Sequence, residues 1–128
     1  TQDNVFVRVM VSVQYNVLAD KVYDVTDITA ASIHGSEMVF LSTDEDWNYS
    51  IHCMDLLTGD WSTAMTLPSY LSDVALDAWG RAWISVREGW NPEVPTESGL
   101  LLIDATSCTA VLEAPIHTTL PPYNVAFL

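Results

Sequence analysis

The side chains best equipped for chemistry in this 128-residue chain are five tryptophans and a scatter of carboxylates. Trp79 and Trp90 fall in segments predicted as turns or loops, near Arg81 and Glu88. An indole face beside a guanidinium and a carboxylate can stack on a sugar ring and hydrogen-bond its hydroxyls. Trp79, Arg81, Glu88 and Trp90 are therefore the candidate ligand-binding set, with carbohydrate or protein as the ligand. Trp61 and Trp83 lie in apolar strands and read as core, and simple loop packing is the plainer account of the other indoles.

A second set is acidic. Asp44, Asp46 and Asn48 alternate as they do at the start of a calcium loop. The pattern then fails, because Tyr49 stands where glycine is needed and Asp55 where glutamate closes the loop. Asp27 and Asp73, each expected to open a strand, complete the candidates for a metal, with Ca2+ the ion that fits. For the loop, a solvated acidic surface is the simpler explanation. For the two strand aspartates, the simpler explanation is a carboxylate bonded to its own turn. His34, His52 and His117 are isolated, and none sits in HExxH or beside a GxSxG elbow. His52, in an apolar strand, reads as a packed side chain, and no catalytic residue is assigned.

Composition narrows the partners. Four basic residues against seventeen acidic ones give a formal net charge of −13. That charge repels a phosphate backbone and an anionic lipid surface, and suits solubility, a cation or a basic partner. No apolar run approaches the ~18 residues of a membrane span. Hydrophobic residues make up 49% of the chain, enough for a packed core. Cys53 and Cys108 lie in no zinc-ligand or CxxC spacing. Buried free thiols are the first reading, and one disulfide of a secreted protein is the alternative. Asn48-Tyr49-Ser50 is a glycosylation sequon, so the compartment leans extracellular. Thr1 in place of Met points to a processed or engineered product, or to a piece of a longer protein.

The elements that must carry these residues are strands. Val5, Val7, Val9, Val11 and Val13 share one face at period two, which only a strand keeps together. From residue 27 a repeat runs. Asp27-Ile28-Thr29-Ala30 leads to Gly35 and Met38-Val39-Phe40-Leu41-Ser42; Asp73-Val74-Ala75-Leu76 leads to Gly80 and Ala82-Trp83-Ile84-Ser85. The aspartates stand 46 apart, the glycines 45, and Asp55 and Asp104 stand 49 apart. Each unit reads as four short strands, the fourth near residues 61–66 and 109–113. The strands Met38–Leu41 and Leu100–Ile103 are apolar throughout, as strands covered on both faces are. The predicted fold is all-β, with residues 1–26 a strand or hairpin segment and residues 27–128 two units, 27–72 and 73–123, plus the start of a third.

From Asp27 to the C terminus, about residues 27–128, the chain resembles β-propeller repeats of the NHL, SMP-30/gluconolactonase-like and YVTN types, a likeness carried by the stretch from Asp73 to Ser85 with its Asp, Gly80 turn and Trp83-Ile84 strand. That likeness implies antiparallel four-stranded blades. Residues 1–24, with Asp3-Asn4-Val5-Phe6-Val7, Val11-Ser12-Val13-Gln14-Tyr15 and Leu18-Ala19-Asp20-Lys21, are similar to a strand hairpin of the band-7 (SPFH) family of stomatins and prohibitins. A closed propeller uses about four to eight blades. Two blades therefore imply a homo-oligomer that completes a ring, or the rest of a longer propeller. The function expected is a non-catalytic binding or assembly module. The alternatives are a metal-dependent propeller hydrolase or lactonase, and a lectin-like oligomer.

Overall fold

A computed structural model describes residues 27–89, 98–118 and 120–127. The valine strand and the segment likened to band-7 proteins lie outside the described residues, as does Trp90. Within them the chain is all-β, as expected, and forms two four-stranded antiparallel sheets.

The first sheet is a meander of β1 (Asp27–His34), β2 (Glu37–Thr43), β3 (Tyr49–Asp55) and β4 (Trp61–Leu67), neighbours in that order. The second repeats it with β5 (Ser69–Leu76), β6 (Arg81–Gly89), β7 (Gly99–Asp104) and β8 (Thr109–Ala110). The expected repeat is therefore real, with two adjustments. Asp73 does not open its strand: β5 starts four residues earlier, at Ser69, so Asp73 pairs with Ser85 in mid-strand. The last strand is two residues long rather than five: the ladder ends at Ala110, with one further bond from the Val111 N–H to the Leu102 carbonyl, residues 111–114 bend, and the chain meets β7 again at an isolated Leu100–Ile116 bridge.

Period-two alternation explains the core. In β2, Val39 and Leu41 point to one face and Met38 and Phe40 to the other, and all four are at most 1% exposed. The Val39 face, with Ile51 and Cys53 of β3, joins Val74, Ile84 and Ile103 of the second sheet in one shared core. β1 lies against β5, where the Leu76 N–H donates to Ser32 Oγ across the sheets at 2.9 Å. The other face of the first sheet holds a separate cluster of Ala31, Met38, Phe40 and Met54, ringed by Ile28, Ile33, Leu56 and Trp61.

Corresponding turns are built alike. Asp55 Oδ1 accepts from the N–H groups of Leu57 and Thr58, and Asp104 Oδ1 from those of Thr106 and Ser107. Each turn closes with a residue in the left-handed region, Gly59 at φ 76° and Cys108 at φ 56°. Glycine takes that conformation freely, whereas a side chain there is strained by about 1 kcal/mol. Cys108 is held by a covalent bond: it forms a disulfide with Cys53, with Cα atoms 5.8 Å apart. The free-thiol reading is thereby corrected. The repeat sets the β3 strand of one sheet beside the β7–β8 turn of the other, a proximity that residues 55 apart in sequence do not announce.

Candidate functional site

The β5–β6 turn, residues 77–80, is organised by one buried carboxylate. Asp77 is 3% exposed. Its Oδ1 accepts from the N–H groups of Trp79 (2.8 Å) and Arg81 (3.0 Å). Its Oδ2 accepts from Arg81 Nε (3.2 Å) and Trp83 Nε1 (3.0 Å). Burial works to raise the Asp77 pKa, but the Trp83, Arg81 and Trp79 hydrogen bonds and the Arg81 charge outweigh it, so it lies below the usual carboxylate value. The carboxylate therefore stays ionised at neutral pH and clamps the turn.

The clamp has a consequence at the surface. Trp79 is 79% exposed, and the Arg81 guanidinium carbon lies 5.7 Å from its ring centroid, within cation–π range. Arg81 cannot swing away without leaving Asp77. A large apolar ring is thus presented to solvent by a rigid turn, at little further ordering cost to a ligand.

The first sheet supplies the rest of this surface. Glu37, at the start of β2, accepts a 2.8 Å hydrogen bond from the Thr106 hydroxyl through Oε1. Gly80, between Trp79 and Arg81, lies against both: a Cβ added there would meet Glu37 Oε2 at 3.5 Å and Thr106 Oγ1 at 3.9 Å. The Gly80 carbonyl also accepts from the Ala105 N–H at 2.9 Å. An indole face, a guanidinium, a carboxylate and a hydroxyl therefore gather at one end of the paired sheets. Glu37 and Thr106 gave no sign in the sequence, since they are 69 residues apart. Glu37 stands in the first sheet where Arg81 stands in the second, opposite Asp55 and Asp104 respectively, and that repeat position is the signal that would have found it.

Of the four residues proposed for ligand binding, Trp79 and Arg81 meet here. Arg81 opens β6, while Glu88 is the eighth residue of the same strand, about 23 Å away at 3.3 Å per residue. Glu37 occupies the role that sequence proximity had suggested for Glu88. Trp90 lies outside the described residues.

The acidic candidates are dispersed. Residues 44–48 join β2 to β3 at the opposite end from Glu37. Asp44 Oδ1 accepts from the N–H groups of Asp46 and Asn48, both at 2.9 Å, and Asp44 Oδ2 accepts from Asn48 Nδ2 at 3.3 Å. The Asn48 N–H bond in particular holds the Asp44 pKa low. The carboxylate thus serves its own loop, with Trp47 at φ 64° and 63% exposed. Asp27 is exposed opposite Thr43, and Asp73 Oδ2 accepts from the Val125 N–H at 3.0 Å. Among the described residues, no three His, Cys, Asp or Glu side chains are grouped to hold a metal.

His52 is packed, as its strand implied, and is also fully engaged. Nε2 pairs with Ser42 Oγ at 2.7 Å and Nδ1 with Thr63 Oγ1 at 2.9 Å. Phe40 stacks on the ring at 4.8 Å and Trp61 tilts against it at 5.1 Å. Burial pulls its pKa from 6.5 down to about 4, so the ring is neutral at pH 7. A serine on a histidine begins a nucleophile–base pair, but Ser42 is 5% and His52 6% exposed, which leaves a substrate no approach. No helix among the described residues is long and apolar enough to cross a membrane. No family model matches the chain, and neither does any curated protein or solved structure.

Proposed function

We propose that this chain is a non-catalytic binding module built on two propeller-type blades, with its contact surface at the β5–β6 turn. The observation that carries this reading is the exposed Trp79 indole, held by Arg81 on a turn that Asp77 fixes from within. Glu37 and Thr106 extend the same surface with hydrogen-bonding groups. Stacking apolar area flanked by fixed polar groups is how a protein surface takes a carbohydrate, and that is the ligand class proposed. The blade assignment is supported by two equivalent four-stranded meanders packed through a shared core, with β1 against β5.

A glycan array probed with the full chain tests the proposal. Binding should appear for some glycans, fall sharply in Trp79→Ala, and fall in Glu37→Gln. Because Trp79 is exposed, its replacement should leave the melting temperature unchanged, so lost binding would not reflect unfolding. Binding that survives Trp79→Ala would remove the turn as the contact surface. No binding to any glycan would remove carbohydrate as the ligand class.

A further inference from the structure

Two features stand outside the binding function proposed above: the disulfide and the Asn48-Tyr49-Ser50 triplet. Cys53 is 5% exposed and belongs to the shared core with Ile51 and Ile84, so its bond to Cys108 locks one sheet to the other from within. A bond placed there is structural. Structural disulfides form and persist in oxidising compartments such as the secretory lumen.

The same lumen attaches glycans to asparagines that have a serine or threonine two positions on. Asn4, Asn16, Asn91 and Asn124 fail that rule, because Phe6, Leu18, Glu93 and Ala126 stand there; Asn48 meets it with Ser50. The fold then puts Asn48 within reach. It ends the loop that joins β2 to β3, where Asp44, Glu45, Asp46 and Trp47 are all exposed. Its backbone is held without help from its side chain: the N–H donates to Asp44 Oδ1 at 2.9 Å, and the carbonyl accepts from the Asp44 N–H at 3.0 Å. Its Nδ2 lies at the surface and donates to Asp44 Oδ2 at 3.3 Å. That nitrogen carries two hydrogens, so replacing one still leaves a donor for Asp44.

We infer that Asn48 is an N-glycosylation site, and that the chain receives its glycan in the oxidising lumen where the Cys53–Cys108 bond forms. The donor is a lipid-linked pyrophosphate oligosaccharide. Asn48 Nδ2 forms a bond to the anomeric carbon of the first sugar, and the bond from that carbon to the phosphate oxygen breaks. The lipid pyrophosphate leaves, and one Nδ2 proton passes to a base of the transferring enzyme. Nothing is oxidised or reduced. The glycan leaves the sheets at the end away from Glu37 and the Trp79 turn, with the seven residues of β2, about 20 Å of strand, between them. The proposed contact surface therefore stays open. The attached sugar instead shields the Trp47 indole, which precedes Asn48 and is 63% exposed.

The test is the intact mass of the full chain secreted from eukaryotic cells behind a signal peptide. The mass should exceed that of the polypeptide by one glycan, and peptide-N-glycosidase should remove it and leave aspartate at position 48. Asn48→Gln and Ser50→Ala should each abolish the added mass. Ser50→Thr, which keeps the hydroxyl, should retain it, so a loss in Ser50→Ala reflects acceptor chemistry and not a folding defect. Asn48→Gln should still be secreted with the disulfide formed. The inference is overturned if the secreted, disulfide-bonded chain has the bare polypeptide mass, or if the glycan persists in Asn48→Gln. It is overturned equally if the chain is retained in the cell with both thiols free.

Discussion

Reducing the Cys53–Cys108 bond is the perturbation with the most calculable outcome. The bond joins residues 55 apart and ties β3 of the first sheet to the β7–β8 turn of the second. In the chain-entropy treatment, the lost loop-closure entropy is about 14 cal/mol/K for a loop of that size, or about 4 kcal/mol at 25 °C. For a domain with a net stability of roughly 5–15 kcal/mol, that is a large share. With a urea slope near ~2 kcal/mol/M, the unfolding midpoint should fall by about 2 M. The assay is urea denaturation of the full chain, oxidised and held reduced by excess dithiol without alkylation, with Cys53→Ala/Cys108→Ala as a second route to the open form. The double variant should lose somewhat more than the alkylation-free reduced chain, because Cys53 is buried in the shared core and alanine leaves a cavity there. Equal midpoints for oxidised and reduced protein would refute the reasoning, and two free thiols titrating in the native, unreduced protein would remove its premise.

Three further outcomes follow from the same geometry. Asp77→Ala leaves Trp83 Nε1 and two N–H groups without their acceptor and should cost about 3 kcal/mol by thermal or chemical denaturation; Asp77→Asn, which keeps the acceptor oxygen, should cost less. His52 has a folded pKa depressed below its unfolded value, so its contribution is present above pH 6.5 and is lost as pH falls toward and below about 4. That loss is about 2 kcal/mol once residual solvent screening is allowed for, read as the difference in acid stability between wild type and His52→Gln; identical acid curves would contradict it. Ser85→Ala should be neutral or stabilising by about 1 kcal/mol, because the Ser85 hydroxyl is fully buried with no hydrogen-bond partner among the described residues; a marked drop in melting temperature would show that the hydroxyl is bonded after all.

The amino-acid sequence by itself determined the class of structure. Alternating and continuous apolar runs such as Met38–Leu41 specify strands, because a period of two cannot keep one face on a helix. The paired turn residues Gly35 and Gly80, and Asp55 and Asp104, marked the repeat because left-handed backbone and turn-capping carboxylates need particular residue types. Strand limits were less legible: the Asp27–Asp73 spacing placed Asp73 at a strand start, whereas β5 begins at Ser69, since alternation survives a shift of the starting point. What only the tertiary structure decided was who meets whom across the sheets. Arg81 and Glu88 look adjacent in sequence, yet an extended strand carries them to opposite ends. Glu37 and Thr106 are remote in sequence, yet packing of β1 against β5 brings them together beside Trp79. Cys53 and Cys108 pair for the same reason. Local residue types fix backbone conformation at short range, while contacts between sheets depend on how two cores register, which no window of neighbouring residues encodes.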